Sequence, residues 1–261
     1  LFVATPVLII PLILAARSVI DNDEMIYAIV VAFGATGHHL PGLMRAYGDR
    51  ALFRRFRVRF IVTPVFLVGV TLPLLLSEHW RGVIVVLLLW GFWHGLMQVY
   101  GFVRIYDAKI GSTSRTTARL DWLICVAWFG AGLVCSDGRM FLMAEAFYQA
   151  GGPLLSPAWV EPLRQVWLAG TLVLTVIWSV HTYRQHARGQ STSPVKLLTM
   201  AVSFAFWWYA MVHIDSVIVG IAMFEVFHDI QYLAIVWVFN RKRVDQQAGV
   251  GGFTRFLFRR S

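Results

Sequence analysis

The chain has 261 residues, of which 58% are hydrophobic and only 14% are charged, and its mean hydropathy is +0.65. A water-soluble domain carries about 25% charged residues, so this composition excludes a soluble enzyme or a nucleic-acid-binding protein and indicates a membrane protein. The net charge of +9 must therefore be interpreted by where the basic residues lie, because basic loops report membrane orientation.

Eight apolar stretches follow one another along the chain. They cover about 1–20, 24–44, 59–77, 82–103, 118–135, 164–182, 196–213 and 216–240. None shows the alternation of a strand, and about 20 apolar residues in a helix span the ~30 Å hydrocarbon layer. The sequence therefore predicts an all-α, polytopic transmembrane bundle of about eight helices, with residues 1–243 as the membrane domain.

The basic residues are concentrated in alternate connections. Nineteen of the 23 Lys and Arg residues lie in four segments, which are 45–59, 104–119, 181–196 and the tail after 240. Arg104 and Lys196 are counted among these loop residues. Because the four segments share one side if the helices alternate in direction, the positive-inside rule predicts that both termini are cytoplasmic. Residues 244–261 then form a basic cytoplasmic tail.

Histidines occur inside three of the apolar stretches, where an ionisable side chain is costly and points to function. His38 and His39 lie in the second stretch, His94 in the fourth and His228 in the eighth. Counted from the outer ends of the helices at about 1.5 Å per residue, all three positions lie roughly 18–21 Å deep. The sequence therefore predicts that imidazoles from three helices meet at one level of the membrane.

The eighth stretch also carries acids on the same helical face. Glu225, His228, Asp229 and Tyr232 are spaced by three or four residues and so project together. Imidazole and carboxylate ligands without a nearby thiolate favour a first-row metal such as non-haem iron. Glu225 and Asp229 are the two acids counted inside the apolar stretches, which favours a mononuclear, histidine-dominated centre over a di-iron site.

Adjacent histidines cannot both face the same centre. Side chains of His38 and His39 leave a helix about 100° apart, and His39 is preferred as the ligand with His38 behind it. His213 lies near the outer end of its helix, well above His228, and is expected outside the metal site.

Two other classes of protein fit the same pattern. One is a non-catalytic subunit that binds haem or chlorophyll, because the many Trp and Phe residues and the small residues Gly91 and Gly95 suit flat macrocycles. The other is a transporter or a structural membrane subunit, although no paired internal repeat is visible in the sequence.

Four pieces of the chain resemble, in the same order, pieces of the Brp/Blh family of integral-membrane β-carotene dioxygenases. The pieces are Trp93-His94-Gly95-Leu96-Met97, Ile177-Trp178-Ser179-Val180-His181-Thr182-Tyr183, Trp208-Tyr209-Ala210 and Phe227-His228-Asp229-Ile230-Gln231-Tyr232. The resemblance extends over about 30–240. It implies a bacterial inner-membrane protein that holds one Fe(II) through histidines of separate helices and reacts O₂ with an apolar carotenoid- or isoprenoid-like lipid.

The family motifs map onto this chain with departures. The resemblance implies that His38 or His39, His94 and His228 are the metal ligands. Gln98 stands where the family has an acid, and Tyr232 where it has a further histidine.

These departures change the expected ligand set. The resemblance implies that Glu225 or Tyr232 takes the place of the missing ligand, close to the reacting atoms. Asp229 and Gln98 are expected behind the ligands, where their hydrogen bonds fix the imidazole tautomers.

Overall fold

The computed structural model describes residues 3–77, 80–112, 114–246 and 252–259, and these residues contain helices and no strand. Eleven α-helices are found in these ranges. They are α1 (Ala4–Val19), α2 (Asp23–Val30), α3 (Thr36–Gly48), α4 (Arg50–Leu76), α5 (Arg81–Lys109), α6 (Arg115–Val134), α7 (Asp137–Gln149), α8 (Val160–Ala187), α9 (Pro194–Trp208), α10 (Val217–Asp245) and α11 (Gly252–Phe258). Two π-helical turns also occur, Val31–Ala35 between α2 and α3 and Tyr209–His213 after α9.

Seven helical segments in the described part of the chain are long and apolar enough to cross a membrane. They are α2 with α3, α4, α5, α6, α8, α9 with its π-helical turn, and α10. The prediction of an all-helical, multi-pass membrane protein is confirmed. Helix α1, predicted as the first of about eight spans, has only 16 residues, about 24 Å of helix, and is shorter than a full crossing.

Polar side chains cap the N-termini of several spans. The Asn22 carboxamide accepts a hydrogen bond of 2.9 Å from the Met25 N–H, and Ser114, Ser193 and Ser216 cap α6, α9 and α10 in the same way. These caps satisfy backbone N–H groups that a helix leaves unpaired at its start. The polar residues before α2, α6, α9 and α10 therefore help to determine where these helices begin.

Asp49 joins three helices at one end of the bundle. Its carboxylate caps α4 by accepting hydrogen bonds from the N–H groups of Ala51 and Leu52, and it pairs with Arg243 of α10 at 2.8 Å. Burial alone would raise the pKa of Asp49, but the hydrogen bonds from Leu52 and Arg243 together lower it below its ordinary value. The connection between α3 and α4 is thereby held against α10.

Burial divides the spans into a centre and a periphery. About half of the apolar window is buried in α6, α9 and α10, whereas α4 buries none of its residues and α8 buries only Thr171. Apolar side chains that face outward are stable in lipid, so α4 and α8 are peripheral helices and the other three form the centre.

Small residues on α6 let aromatic rings approach its backbone. The Trp207 ring stacks on Phe129 with 4.5 Å between centroids, and its indole N–H donates a 2.8 Å hydrogen bond to the Phe129 carbonyl. A Cβ atom on Gly132 would lie 2.5 Å from the Trp207 Nε1 atom. Glycine at this position therefore allows α6 and α9 to pack closely.

Arg139 of α7 forms hydrogen bonds with backbone carbonyls of the π-helical turn after α9. Its guanidinium donates to the carbonyls of Met211 (2.6 Å), Ala210 (2.9 Å) and Val217 (3.3 Å), and the side chain is buried. Burial lowers the pKa of Arg139 to about 10, so it remains a cation at neutral pH. The positive charge satisfies carbonyl groups that a helix leaves unpaired at its C-terminus.

The tail predicted over 244–261 is described in part. Residues 247–251 and 260–261 lie outside the described residues, so the predicted boundary at 243/244 stays a prediction. Helix α11 packs on α10, where the Phe258 ring lies 5.1 Å from the Trp237 ring.

Candidate metal centre

Three histidines from three helices meet inside the bundle. His38 of α3, His94 of α5 and His228 of α10 each offer a ring nitrogen, and these atoms lie within 4.8 Å of one another. His38 and His228 are 5% and 3% exposed, whereas His94 is exposed. The cluster is therefore enclosed on two sides and accessible beside His94.

The π-helical turn Val31–Ala35 brings α3 against α10. The Nδ1 atom of His38 lies 2.7 Å from the Asp229 carboxylate and 3.4 Å from the Gly34 carbonyl. A Cβ atom on Gly34 would collide with the Asp229 carboxylate, so only glycine fits at this contact. Because the Nδ1 atom faces the Asp229 carboxylate and the Gly34 carbonyl, the Nε2 atom is the ring nitrogen left for a ligand.

His94 and His228 face each other through their Nε2 atoms, which are 3.1 Å apart. The ring centroids are 4.6 Å apart and the rings are nearly perpendicular. A Cβ atom on Gly95 would overlap the Phe224 ring, so this glycine permits the close approach of α5 and α10. Gly91, which was grouped with Gly95 in the sequence, makes no such close contact, since a Cβ atom there would meet open space.

The amide of Gln98 holds the same two helices together. It donates to the His228 carbonyl at 3.1 Å and to the side-chain carbonyl of Gln231 at 3.3 Å. Gln98 was predicted to orient an imidazole, but these bonds position the backbone of α10 instead. Asp229, in contrast, contacts the His38 imidazole as expected.

Two of the three donors have the spacing of ligands on one metal ion, and the third lies within 4.8 Å of them. First-row metals bind imidazole nitrogens at about 2.0–2.1 Å, which places neighbouring ligand nitrogens of one ion about 3.0–3.4 Å apart. The 3.1 Å between the Nε2 atoms of His94 and His228 lies in this range. The Nδ1 atom of His228 and both carboxylate oxygens of Asp229 have no hydrogen-bond partner among the described residues, although Asp229 lies 2.7 Å from the Nδ1 atom of His38.

His39 does not join the cluster, and the preference for it over His38 is wrong for this structure. His39 is exposed, its ring lies 4.0 Å from the His38 ring, and it faces a cavity between α3 and α4. The physical reason is the π-helical turn just before α3. Such a turn holds an extra residue, so faces counted at 3.6 residues per turn no longer apply after it.

The other predicted residues of α10 lie beside the three histidines. The Tyr232 ring lies 5.6 Å from the His38 ring and 6.5 Å from the His228 ring. Glu225 is half-buried one turn before His228 and does not belong to the group of converging ligand atoms in the described residues. His213 lies outside the group, as expected.

Two cavities flank the cluster and share Tyr232 as a wall. One, of about 330 Å³, is lined by His94 and Gln98, and the other, of about 630 Å³, is lined by His39. The largest described cavity, about 1200 Å³, lies elsewhere, between α6, α8 and α9, and His213 is in its wall. The 330 Å³ cavity therefore opens directly on His94, whereas the 630 Å³ cavity is separated from the cluster by Tyr232.

A second buried polar group was missed in the sequence. Lys196 Nζ lies 2.9 Å from Asp107 and 2.6 Å from Asp121, and Arg104 lies 2.6 Å from Asp107. Asp121 is fully buried and also accepts a 2.8 Å hydrogen bond from Trp178. The count of two intramembrane acids was therefore wrong, and Arg104 and Lys196 are internal rather than loop residues.

The sequence does contain a signal for this group. Asp121 lies within the apolar stretch 118–135, where a carboxylate needs a partner. Lys196 begins the apolar stretch 196–213 and was assigned to the preceding connection. Charges at the edge of a span are ambiguous because half a turn of helix decides whether they face water or the bundle.

The fold and this site define a multi-pass helical membrane protein with a cluster of three histidines between its helices. No family model, no curated protein and no solved structure matches the chain. What the protein does is therefore inferred from the residues of the site.

Proposed function

We propose that this protein is a membrane-embedded non-haem iron oxygenase in which His38, His94 and His228 hold one Fe(II). The observation that carries the proposal is the convergence of three ring nitrogens from three helices within 4.8 Å. Imidazole ligands suit iron, zinc, copper and nickel alike, so the choice of iron rests on the resemblance to the dioxygenase family. Three protein ligands leave coordination positions open for reactants.

The proposed substrate is a carotenoid- or isoprenoid-like lipid that enters from the membrane. The cavities beside His94 and His39 support this route, because both are mostly apolar and both reach Tyr232. Iron would supply the activation of O₂. Cleavage of one C=C bond places one oxygen atom on each carbon and gives two carbonyl groups, so the reaction needs no external reductant.

The protein's own residues would organise the site. Asp229 would hold the His38 ring through the 2.7 Å contact of its carboxylate with the Nδ1 atom. Gln98 holds the backbone of His228. Tyr232 lines both cavities. Glu225 lies one helical turn before His228, where it would act as a further metal ligand or as a base.

Metal analysis of single variants tests the proposal. We expect about one iron per chain in the wild type and loss of most of it in His38→Ala, His94→Ala and His228→Ala. His39→Ala and His213→Ala are matched controls that remove an imidazole without touching the cluster, and they should retain the metal. Unchanged metal content in the first three variants would refute the metal centre and favour a transporter or structural subunit.

Activity is tested separately in cells that make β-carotene. Carbonyl cleavage products should appear with the wild type in the presence of O₂ and should be absent with His94→Ala. A protein that contains the metal but cleaves no polyene would support the metal centre and refute the dioxygenase activity.

A haem- or chlorophyll-binding subunit is the second candidate. The exposed imidazole of His94, stacked 6.3 Å from the Trp90 ring, is the observation that favours it. The space over Gly95 is filled by Phe224, however, which leaves less room for a macrocycle. A strong Soret or chlorophyll absorption band in the purified protein would support this candidate.

We also propose a bacterial inner membrane location with the C-terminus in the cytoplasm. The seven long spans then place Asp23 on the opposite side, so the predicted cytoplasmic N-terminus requires α1 to cross as an eighth span. Arg104 and Lys196 no longer count as loop charges, but the remaining basic residues of the four segments preserve the bias. Labelling of single cysteines placed at 112 and 152 with a membrane-impermeant maleimide tests the orientation. The first should be protected in intact cells and the second labelled.

A further inference from the structure

The cavity between α3, α4 and α10 has one charged wall and several apolar ones. Its volume is about 630 Å³, within the ~300–1,000 Å³ range of small-molecule sites. Leu43, Phe60 and Pro64 line it on the apolar side. His39, Arg59 and Tyr232 supply the polar groups.

Arg59 has no acidic partner among the described residues. The nearest acid in the same connection, Asp49, is already engaged by Arg243 at 2.8 Å and by the first N–H groups of α4. The guanidinium of Arg59 lies 5.8 Å from the Phe56 ring, where the backbone of α4 bends away from helical geometry. The Arg59 side chain is exposed, and a guanidinium recognises carboxylates and phosphates through its planar set of N–H donors.

The same cavity reaches the histidine cluster through Tyr232. This ring lines the cavity and lies 5.6 Å from the His38 ring. A molecule with its charged end at Arg59 would therefore extend its apolar part towards the cluster.

We infer that this cavity binds a single-chain lipid with an anionic head group, held by Arg59, with its chain against Tyr232. The head group is a carboxylate or a phosphate, and both have the chemistry that Arg59 recognises. This lipid is a ligand beside the cluster and is not the carotenoid substrate of the proposed function, so the inference goes beyond that function. As a binding site, it stands on the cavity and the unpaired charge alone.

Binding of three lipids with the same chain tests the inference. The purified full-length chain in neutral detergent is titrated with radiolabelled oleate, oleyl phosphate and oleyl alcohol. We expect about one oleate or oleyl phosphate per chain, bound roughly tenfold more tightly than oleyl alcohol, as a charge-assisted hydrogen bond gives. The anion that binds with the higher affinity identifies the head group.

Two arginine variants separate the site from general attraction of anions. Arg59→Gln should remove most of the tenfold preference. Arg57→Gln removes the same charge from the same helix at an exposed position outside the cavity wall and should leave it unchanged. Leu43→Trp, which fills the cavity, should weaken the binding of all three lipids.

Several results would overturn the inference. Equal binding of oleate and oleyl alcohol, equal effects of the two arginine variants, or no saturable binding of any of the lipids would each do so. The His94→Ala variant tests the lipid site independently of the metal centre, because this variant should lose iron and still bind oleate. A protein without iron that binds oleate as expected would refute the oxygenase and retain the lipid site.

Discussion

Replacing Lys196 by methionine removes the central cation of a buried charge group. Lys196 is 3% exposed and contacts two carboxylates, Asp107 at 2.9 Å and Asp121 at 2.6 Å. Arg104 remains in the variant, 2.6 Å from Asp107 and 3.7 Å from Asp121. Two buried carboxylates would then share one guanidinium, which leaves one negative charge uncompensated.

The cost follows from that unpaired charge. Removing one partner of a buried ion pair costs about 3–5 kcal/mol. The hydrogen bond from Trp178 to Asp121 at 2.8 Å survives, so we expect the lower end, about 3 kcal/mol. For a chain of this length that is a fall in unfolding temperature on the order of 10 °C.

Cys125 supplies the assay. It is fully buried in α6, one turn from Asp121, and Cys135 is the second of two cysteines in the chain. In a Cys135→Ser background, a maleimide dye therefore reports unfolding by reacting with Cys125 as the temperature rises. Lys242→Met, at an exposed position of α10, is the charge-matched control and should change the transition little.

A double variant provides the decisive comparison. Lys196→Met combined with Asp121→Asn removes both charges and leaves Asp107 paired with Arg104, so most of the lost stability should return. If Lys196→Met unfolds at the temperature of the Lys242→Met control, or if the double variant is less stable than the single one, the charge-pairing explanation is refuted.

Four further predictions concern other contacts. Asp229→Asn should weaken iron binding about 10- to 100-fold in a chelator competition, because the His38 ring loses the negative charge that lies 2.7 Å from its Nδ1 atom; an unchanged affinity would contradict the pairing. Gly95→Ala should destabilise the protein by about 1–3 kcal/mol through its clash with Phe224, whereas Gly91→Ala, in open space, should be nearly neutral in the same dye assay. Arg139→Met should cost at least about 2 kcal/mol, since it leaves buried carbonyls unpaired, and a neutral result would show that water replaces the guanidinium. The pKa of Asp49 is lower in the folded state than in the unfolded state, so its stabilisation is complete above about pH 4 and is lost as the pH falls through the folded-state pKa. Acid titration should therefore destabilise the wild type more than Asp49→Asn, which retains a capping side chain.

The depth of the histidines was predictable because helical rise is nearly constant. Counting along straight helices placed His94 and His228 at one level, and the structure brings their Nε2 atoms to 3.1 Å. The choice between His38 and His39 was not predictable, because the π-helical turn before α3 changes the face on which later residues lie. Metal binding and the lipid substrate stay predictions.

The charge group and Arg139 were missed for a different reason. Composition assigns a charged residue near the end of an apolar stretch to the adjacent loop, as was done with Lys196. Its true position depends on which neighbouring helix carries an opposite charge, here α5 and α6, and that pairing is a tertiary contact. Arg139 similarly donates to carbonyls of the π-helical turn after α9, which are 71 and 72 residues away in sequence.

The buried charge group also constrains how the chain can be assembled in a membrane during synthesis. Asp107 and Asp121 emerge from the ribosome well before Lys196, so α5 and α6 carry their acids into the bilayer with only Arg104 to neutralise them. The arrival of α9 completes the neutral group. A chain cut short before 194 would thus lack the cation that contacts both carboxylates.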